Sequence, residues 1–472
     1  MSDESAPSTA PPRTHVPRGV AMVGLAGSMF LVVLDTSMVN LAGRTIREGL
    51  GLTAAELTVV VDAYLVALAG LLLLGGRLAD VLGGKRVFLA GTAVYVAASA
   101  LCASAADGAV LTAGRVGQGI GAALLMPAAL SLVLALYASP AERTRAMGVW
   151  GVLAGAGSLV GVVLGGTLTD LAGWPSVFWT PVPFGIAGAA LVWWSAPEVP
   201  GRRGVFDAPG AIAITLGVSA LALGLVFAGG SGWDRPLALG GLAVGAACLA
   251  AFVAIERRSA HPLVPLGVFT RTAVVKANAV MLLTGATLTS LFYLLPLYQQ
   301  EGLGMSPTEA GLAQLPIAGT IIAGSGAAPL LAKALGLDRA LSVGLAGLLL
   351  GFVWLVLDPT ESGFSASLLG AFLLIGTGLG LGFVNAVSMA VRDSAEGESG
   401  LLSGLVNAAQ QLGGAVGVAA IAGIALGAAG AHGDLSYTAA FLGQTAFIAF
   451  ALALSFIPKA RERSGPAVPS AR

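Results

Sequence analysis

Long apolar runs separated by short polar turns decide what this chain can become. Fourteen can be marked off: 19–41, 57–74, 87–104, 109–134, 146–168, 177–194, 208–227, 237–255, 273–297, 308–331, 340–357, 364–391, 401–425 and 438–457. Each holds about 20 residues, the length that crosses the hydrocarbon of a bilayer. Inside lipid the backbone must satisfy its own hydrogen bonds, which makes each run a helix. With 56% hydrophobic and only 10% charged residues, the chain cannot clothe a water-soluble surface. The fold class is therefore an all-α polytopic membrane protein. Its longest internal connection, 256–272, is too short for a soluble catalytic domain, and no G-x-x-x-x-G-K-[ST] loop for ATP occurs. Zero formal net charge removes any case for nucleic acid. Cys102 and Cys248 lie in apolar runs, and His15, His261 and His432 in tails or loops. No disulfide, metal site or cofactor is expected, and no nucleophile–base pair suggests an enzyme.

Charge orients the spans. An even number puts both termini on one side. With that side cytoplasmic, only Arg44, Arg47 and Arg235 of the 24 Lys and Arg fall on the opposite face, and Arg115 lies within a span. Such asymmetry is the positive-inside pattern. No signal-peptide cleavage pattern precedes the first run, and the preference for Arg over Lys suits a high-GC bacterial genome. The expected location is a bacterial cytoplasmic membrane, crossed many times, with both termini inside.

An internal repeat divides the chain. Leu78–Gly91 matches Leu331–Gly344 at six of 14 positions, 253 residues apart. That offset exceeds half the chain, as two homologous six-helix bundles with an inserted helix pair would require. The expected organisation is a disordered tail (1–18), a first bundle (19–195), an inserted pair with flanking loops (196–272), a second bundle (273–457) and a final tail (458–472).

Within the spans, charge is nearly absent. Asp35 and Asp62 are the acids well inside, and Arg115 is the intramembrane cation. Charge in hydrocarbon is costly, so each is a functional candidate. At 1.5 Å per residue, Asp35 and Arg115 lie roughly 10 Å below the same boundary, with Asp62 slightly shallower. The three could share one cavity. An ionised Asp35 would pair with Arg115, and protonation would release the guanidinium. Gln118 shares Arg115's helix face. Two plainer readings stand beside these: the Asp–Arg pair could simply lock helices, and Asp62 could be a solvated end residue.

Between the second and third runs, Leu74–Arg86 reads LGGRLADVLGGKR. This is a tight polar turn in which Asp80 can pair with Lys85 or Arg86. It resembles the G-x-L-a-D-r-x-G-r-k signature of the major facilitator superfamily, with Gly76, Leu78, Asp80, Gly83 and Lys85 in place. Leu34–Ala42 resembles the l-D-x-T-i-v-N-v-A stretch of the fourteen-helix drug:proton antiporters (EmrB/QacA type). There Gly43 and Arg44 replace the usual Leu-Pro, which predicts a looser end to the first span. Gly114–Gly121 resembles the span-4 motif whose Arg is implicated in proton transfer. Asp62-Ala63-Tyr64 matches a variant seen among exporters of organic cations.

The fifth run carries glycines at 151, 155, 157, 161, 165 and 166. Their four-residue spacings allow close helix contact, and they resemble the family's antiporter motif, with Val162 in place of its proline. The second half offers neutral polar groups instead of acids. Asn40, Tyr293, Gln314, Asn385, Asn407 and Gln411 are candidates to line a substrate cavity, or interhelical hydrogen-bond glue.

The resemblance implies a fourteen-helix major facilitator fold arranged 6+2+6. It implies proton-coupled efflux of amphiphilic small molecules such as drugs or antibiotics, by alternating access and without a cofactor. Asp35, Arg115, Asp62 and Gln118 would couple protons; Gly76, Asp80, Gly83, Lys85 and Arg86 would form a gating loop. The expected partners are a small-molecule substrate, protons and the bilayer, with the protein acting as a monomer. The rivals are proton-coupled uptake of a small solute and a non-transporting scaffold or sensor.

Overall fold

A computed structural model describes residues 18–137, 139–198, 208–231, 235–260, 262–264, 266–357, 366–392, 399–428 and 435–457. Most of both expected tails, His15, His261 and His432 lie outside them. Fourteen helical spans follow in order: span 1 Arg18–Leu50, 2 Ala54–Leu72, 3 Gly84–Ala103, 4 Gly108–Leu136, 5 Arg145–Ala172, 6 Pro175–Ser195 and 7 Pro209–Ala228. Then come 8 Pro236–Arg258, 9 Thr272–Gly302, 10 Pro307–Leu335, 11 Leu337–Leu357, 12 Leu368–Val391, 13 Leu402–Gly427 and 14 Tyr437–Ser455.

The two halves repeat one packing plan. Span 1 packs on 5 and 6, span 2 on 4, and span 3 on 4 and 6. Span 9 likewise packs on 13 and 14, span 10 on 12, and span 11 on 12 and 14. Spans 7 and 8 stand outside this plan. Span 7 lies against spans 2 and 13, and span 8 packs on span 7. Gly224 and Gly241 bring those two backbones together, since a Cβ on Gly241 would sit 2.7 Å from the Gly224 Cα.

Local signals recur at the spacing of the sequence repeat. Thr53 and Ser306, 253 residues apart, each cap a helix in a capping box with Glu56 and Glu309. Gly83 (φ 95°) joins span 2 to span 3, and Gly336 (φ 83°) joins span 10 to span 11. A left-handed backbone at these junctions favours glycine. The turn itself is shorter than expected. The helix of span 2 continues through the motif to Leu82, and the next begins at Gly84. The junction is thus one residue, because the apolar and small residues of Gly75–Leu82 extend the helix beyond the membrane run. Lys85 does not pair with Asp80. Its Nζ donates to the Ala196 carbonyl (3.0 Å) and lies over the Trp193 ring, tying the junction to the end of span 6.

The end of span 1 is not loose. Its helix resumes as Gly43–Leu50 and stops at Gly51 in a left-handed C-cap. On this face, opposite the termini, polar contacts join the halves. Arg44 Nη1 donates to the Gln300 carbonyl (2.8 Å), and Gln300 Nε2 donates to the Leu41 carbonyl (2.9 Å). Arg47 Nη2 lies 3.0 Å from Glu301 Oε1. Asp170 of span 5 accepts from the Thr308 backbone N–H (3.1 Å) and from its hydroxyl at the start of span 10. On the termini face the ion pairs Arg18–Glu142, Lys276–Asp338 and Arg392–Asp338 each stay within one half.

The span 5 glycines divide between these environments. A Cβ at Gly157, Gly161 or Gly165 would strike the span 1 backbone at Phe30, Leu34 or Met38. At Gly166 it would strike Pro307 and Thr308 of span 10. Gly155 has nothing within 4 Å, and Gly151 lies in the same helix. Gly161→Leu is expected to destabilise the protein by about 1–3 kcal/mol, read as a lower unfolding temperature in detergent, while Gly155→Leu is near neutral. Equal shifts for the two would refute the packing role of this stripe.

Candidate functional site

Span 4 approaches spans 2 and 3 through the glycines of Gly114–Gly121. A Cβ on Gly119 would meet the Tyr64 carbonyl of span 2 at 2.5 Å, and one on Gly121 the Tyr95 N of span 3 at 2.6 Å. Their absence brings the neighbouring backbones close enough for the polar members of the motif to fill the space between.

Arg115 and Asp35 meet there. They are 1% and 0% exposed, and Arg115 Nη1 lies 3.5 Å from Asp35 Oδ2. The shorter contact of Nη1 is to Gln118 Oε1, at 2.8 Å. Gln118 Nε2 in turn donates to Ser99 Oγ (2.8 Å), and the Cys102 thiol lies 3.7 Å from Gln118 Oε1. The guanidinium carbon stands 4.4 Å from the centre of the Tyr64 ring, a cation–π contact worth about 2 kcal/mol or more when desolvated. Among the described residues, neither Asp35 oxygen accepts a hydrogen bond of good geometry, although the Tyr95 hydroxyl and the Gln118 side chain face the carboxylate, and Arg115 Nε has no acceptor. The cation is thus held by two neutral partners as well as by Asp35. These neutral contacts do not depend on the charge of Asp35.

Asp62 does not join this centre. It is 4% exposed, so it is not a solvated end residue, and its Oδ1 has no hydrogen-bond partner. One turn before it, Thr58 Oγ1 lies 2.9 Å from the Tyr293 hydroxyl of span 9. Asp62 thus stands at the seam between the halves rather than inside the first. Tyr293 and Gln314 are buried, the latter donating to Gln299 Oε1 (2.9 Å), and Asn385 donates to the Leu381 carbonyl of its own helix. Asn40 is buried, Gln411 half-buried and Asn407 exposed. No hydrogen bond joins any two of these six. Tyr64, Ser99 and Cys102 were not anticipated as members of the site. Tyr64 lies in the quoted Asp62-Ala63-Tyr64 stretch, but nothing in the order of residues marks its ring as a seat for Arg115. No group of three or more His, Cys, Asp or Glu among the described residues could hold a metal ion.

Residues 25–418 match the family model of the Major Facilitator Superfamily. The chain belongs to the Major Facilitator Superfamily. It is a transporter, and not an enzyme. This facilitator is 36% identical over 454 residues to the cephamycin export protein CmcT of Amycolatopsis lactamdurans, covering 94% of this chain and 93% of that one. It is 36% identical over 419 residues to the puromycin resistance protein pur8 of Streptomyces alboniger, covering 87% and 82%. Among solved structures, a bacterial homologue of the human lysosomal transporter Spinster, inward-facing and unoccupied, superposes with a TM-score of 0.68 at 14% identity. That match covers 94% of this facilitator and 97% of the other chain, and shows the shared fold.

Removing Arg115 leaves a buried, uncompensated carboxylate. Arg115→Gln is expected to cost about 3–5 kcal/mol at neutral pH, and adding Asp35→Asn recovers most of it. Acidification also recovers the single variant, because a protonated Asp35 needs no counter-charge. Thermal unfolding in detergent at two pH values reads both effects, and failure of the double variant to recover stability would refute the pairing.

Proposed function

We propose that this transporter exports amphiphilic small molecules from a bacterial cytoplasm in exchange for protons. The observation that carries the reading is the buried Asp35–Arg115 pair, in which the cation has neutral partners of its own. Relatives named for cephamycin export and puromycin resistance support efflux as the direction. The charge asymmetry of the loops supports cytoplasmic termini. With that orientation, the polar contacts on the opposite face close the outer side, the state in which substrate would enter from within.

A proton arriving from outside would neutralise Asp35. The attraction to span 4 then falls, while Gln118 and Tyr64 keep Arg115 seated, so span 1 is the element that gains freedom. Residues 19–195 and 273–457 would rock as two bundles around a cavity between them, and 196–272 would ride along as the inserted pair. Asn40, Tyr293, Gln314, Asn385, Asn407 and Gln411 remain the candidates to line that cavity. Gly76, Asp80, Gly83, Lys85 and Arg86 would form the inner hinge, with Lys85 fastened to span 6. Asp62, at the seam, would serve as a second acid. The second half supplies no intramembrane acid, which favours neutral or weakly cationic substrates over dications. Nothing in this cycle requires more than one copy of the chain.

The energy is adequate. One charge crossing 100 mV is worth about 2.3 kcal/mol, and about 1.4 kcal/mol is tenfold in an equilibrium constant. One proton exchanged for one neutral molecule could therefore sustain roughly 50-fold depletion.

In inverted vesicles, an imposed pH gradient is expected to drive uptake of antibiotics or toxic dyes, and dissipating it to stop that uptake. Asp35→Asn should retain substrate binding and lose the pH-driven step. Uptake indifferent to the gradient would exclude proton antiport, and unchanged coupling in Asp35→Asn would exclude this residue as its proton site.

A further inference from the structure

Spans 7 and 8 pack closely along most of their length. A Cβ on Gly217 would meet the Leu249 side chain at 2.9 Å, and one on Gly245 the Leu221 N at 2.8 Å. Toward the termini face the pair opens. Pro209 at the start of span 7 and Ala251, Ala254 and Ile255 of span 8 line a groove of about 500 Å³, completed by Arg258 and Ser259. Proline and alanine side chains are too small to fill that space. Ala251, Ala254, Ile255 and Arg258 share one helix face, and the rise from Ala251 to Arg258 is about 10 Å. The groove therefore runs from apolar depth to the end of the span. Trp193 and Trp194, exposed at the end of span 6 on the same face, mark the headgroup level there.

Charge at the mouth is one-sided. Span 8 ends in Glu256-Arg257-Arg258. Glu256 turns inward: it is 4% exposed, and its Oε2 accepts from the Val264 backbone N–H at 3.0 Å. Arg257 and Arg258 are both exposed, and among the described residues no hydrogen bond or ion pair engages either. Of the two, Arg258 lines the groove. We propose that this groove binds one anionic phospholipid, with an acyl chain along Ala251 and Ala254 and the headgroup phosphate on Arg258. An apolar floor gives a soluble phosphate nothing to hold, which makes the ligand a lipid. A zwitterionic headgroup would bring its own cation to the arginines while the acid of this helix end is turned away, which favours a net negative lipid. An exposed arginine at a membrane surface favours anionic lipid by about fivefold, and the groove beneath Arg258 adds a seat for the chain. The site also bears on the rest of the molecule. Span 7 lies against spans 2 and 13, and Thr215 Oγ1 donates to the Gly70 carbonyl of span 2 at 2.9 Å. A lipid here would brace a helix that touches both halves.

Full-length protein in a nonionic detergent, titrated with phosphatidylglycerol or phosphatidylcholine of one chain length and read by native mass spectrometry, tests this. The unaltered protein is expected to retain one phosphatidylglycerol more tightly than any phosphatidylcholine. Arg258→Gln should weaken that site by about fivefold or more. Arg257→Gln removes the same charge one residue away but outside the groove, and at physiological ionic strength, where charges not in contact are screened, should change it by less than about twofold. Ala254→Trp, at an exposed position where the fold can accommodate the ring, should weaken the site with Arg258 intact by occupying the place of the chain. Phosphatidylglycerol should raise the unfolding temperature of the unaltered protein and of Arg257→Gln, and not of Arg258→Gln or Ala254→Trp, because a ligand of the folded state stabilises it by mass action. Equal losses in Arg257→Gln and Arg258→Gln would show diffuse surface charge and overturn the proposal. So would full binding by Ala254→Trp, or equal retention of the two lipids. None of these readouts involves proton coupling, so failure of the antiport reading leaves this site standing.

Discussion

The structure turns on how a guanidinium survives inside a membrane. Arg115 is almost completely covered by protein, where an unpaired charge is expensive enough that intramembrane cations are rare. The chain meets this with a shell drawn from four spans: Asp35 from the first, Tyr64 from the second, Ser99 and Cys102 from the third, and Gln118 from the fourth. The shell is unequal. Gln118 and Tyr64 hold the cation whatever the charge on Asp35, whereas Asp35 has the cation as its charged partner and the Tyr95 hydroxyl and Gln118 as polar neighbours. A proton on the acid would remove the one charge–charge attraction in the shell and leave its neutral contacts in place.

The repeated scaffold does not repeat this chemistry. Gly51 and Gly304, Thr53 and Ser306, Glu56 and Glu309, and Gly83 and Gly336 all lie 253 residues apart and perform the same local tasks at the same joints. The residues 253 beyond Asp35 and Arg115 are Leu288 and Leu368. Among the described residues, the second half keeps the caps, the turns and the packing order without an ion pair buried on both sides. It satisfies its interior with neutral contacts such as Gln299–Gln314 and Ser290–Gln444. A charged centre confined to one half gives a proton a defined side of the seam on which to act.

Much of this could be read from residue order because bilayers impose lengths and forbid charge. Run length located the fourteen spans, and the cost of charge singled out Asp35 and Arg115. The offset between Leu78–Gly91 and Leu331–Gly344 recurs in the capping boxes and the positive-φ glycines. What depends on rotation and depth could not be read. Asp62 lies near Asp35 in depth, yet faces the seam, because helical phase rather than depth sets its neighbours. The turn at Gly83 looked longer because polarity marks where the membrane ends, and a helix can continue past that boundary. The end of span 1 looked loose because Gly43 and Arg44 replace the Leu-Pro usual in the motif it resembles. They are ordered instead by partners some 256 residues away. Tyr64 serves through its ring face, which no spacing rule reveals.

Span 1 connects the two charged regions. Asp35 faces span 4, and Leu41, Arg44 and Arg47 face the end of span 9, on one nearly continuous helix. From Asp35 to Arg44 is nine residues, about 13 Å along the axis. At Ala42 the backbone bonds Ala42 N–H to Met38 and Ile46 N–H to Ala42 carry the ladder across the break in assignment. A hydrogen-bonded helix transmits rotation or translation with little loss, so weakening its hold on span 4 also changes its hold on span 9. The glycine stripe of span 5 bears on the same helix along Phe30, Leu34 and Met38, through backbone contacts rather than interlocking side chains. That close approach keeps the two helices in line. Span 1 is thus pinned at two levels, by the Asp35 carboxylate near its middle and by two arginines at its end.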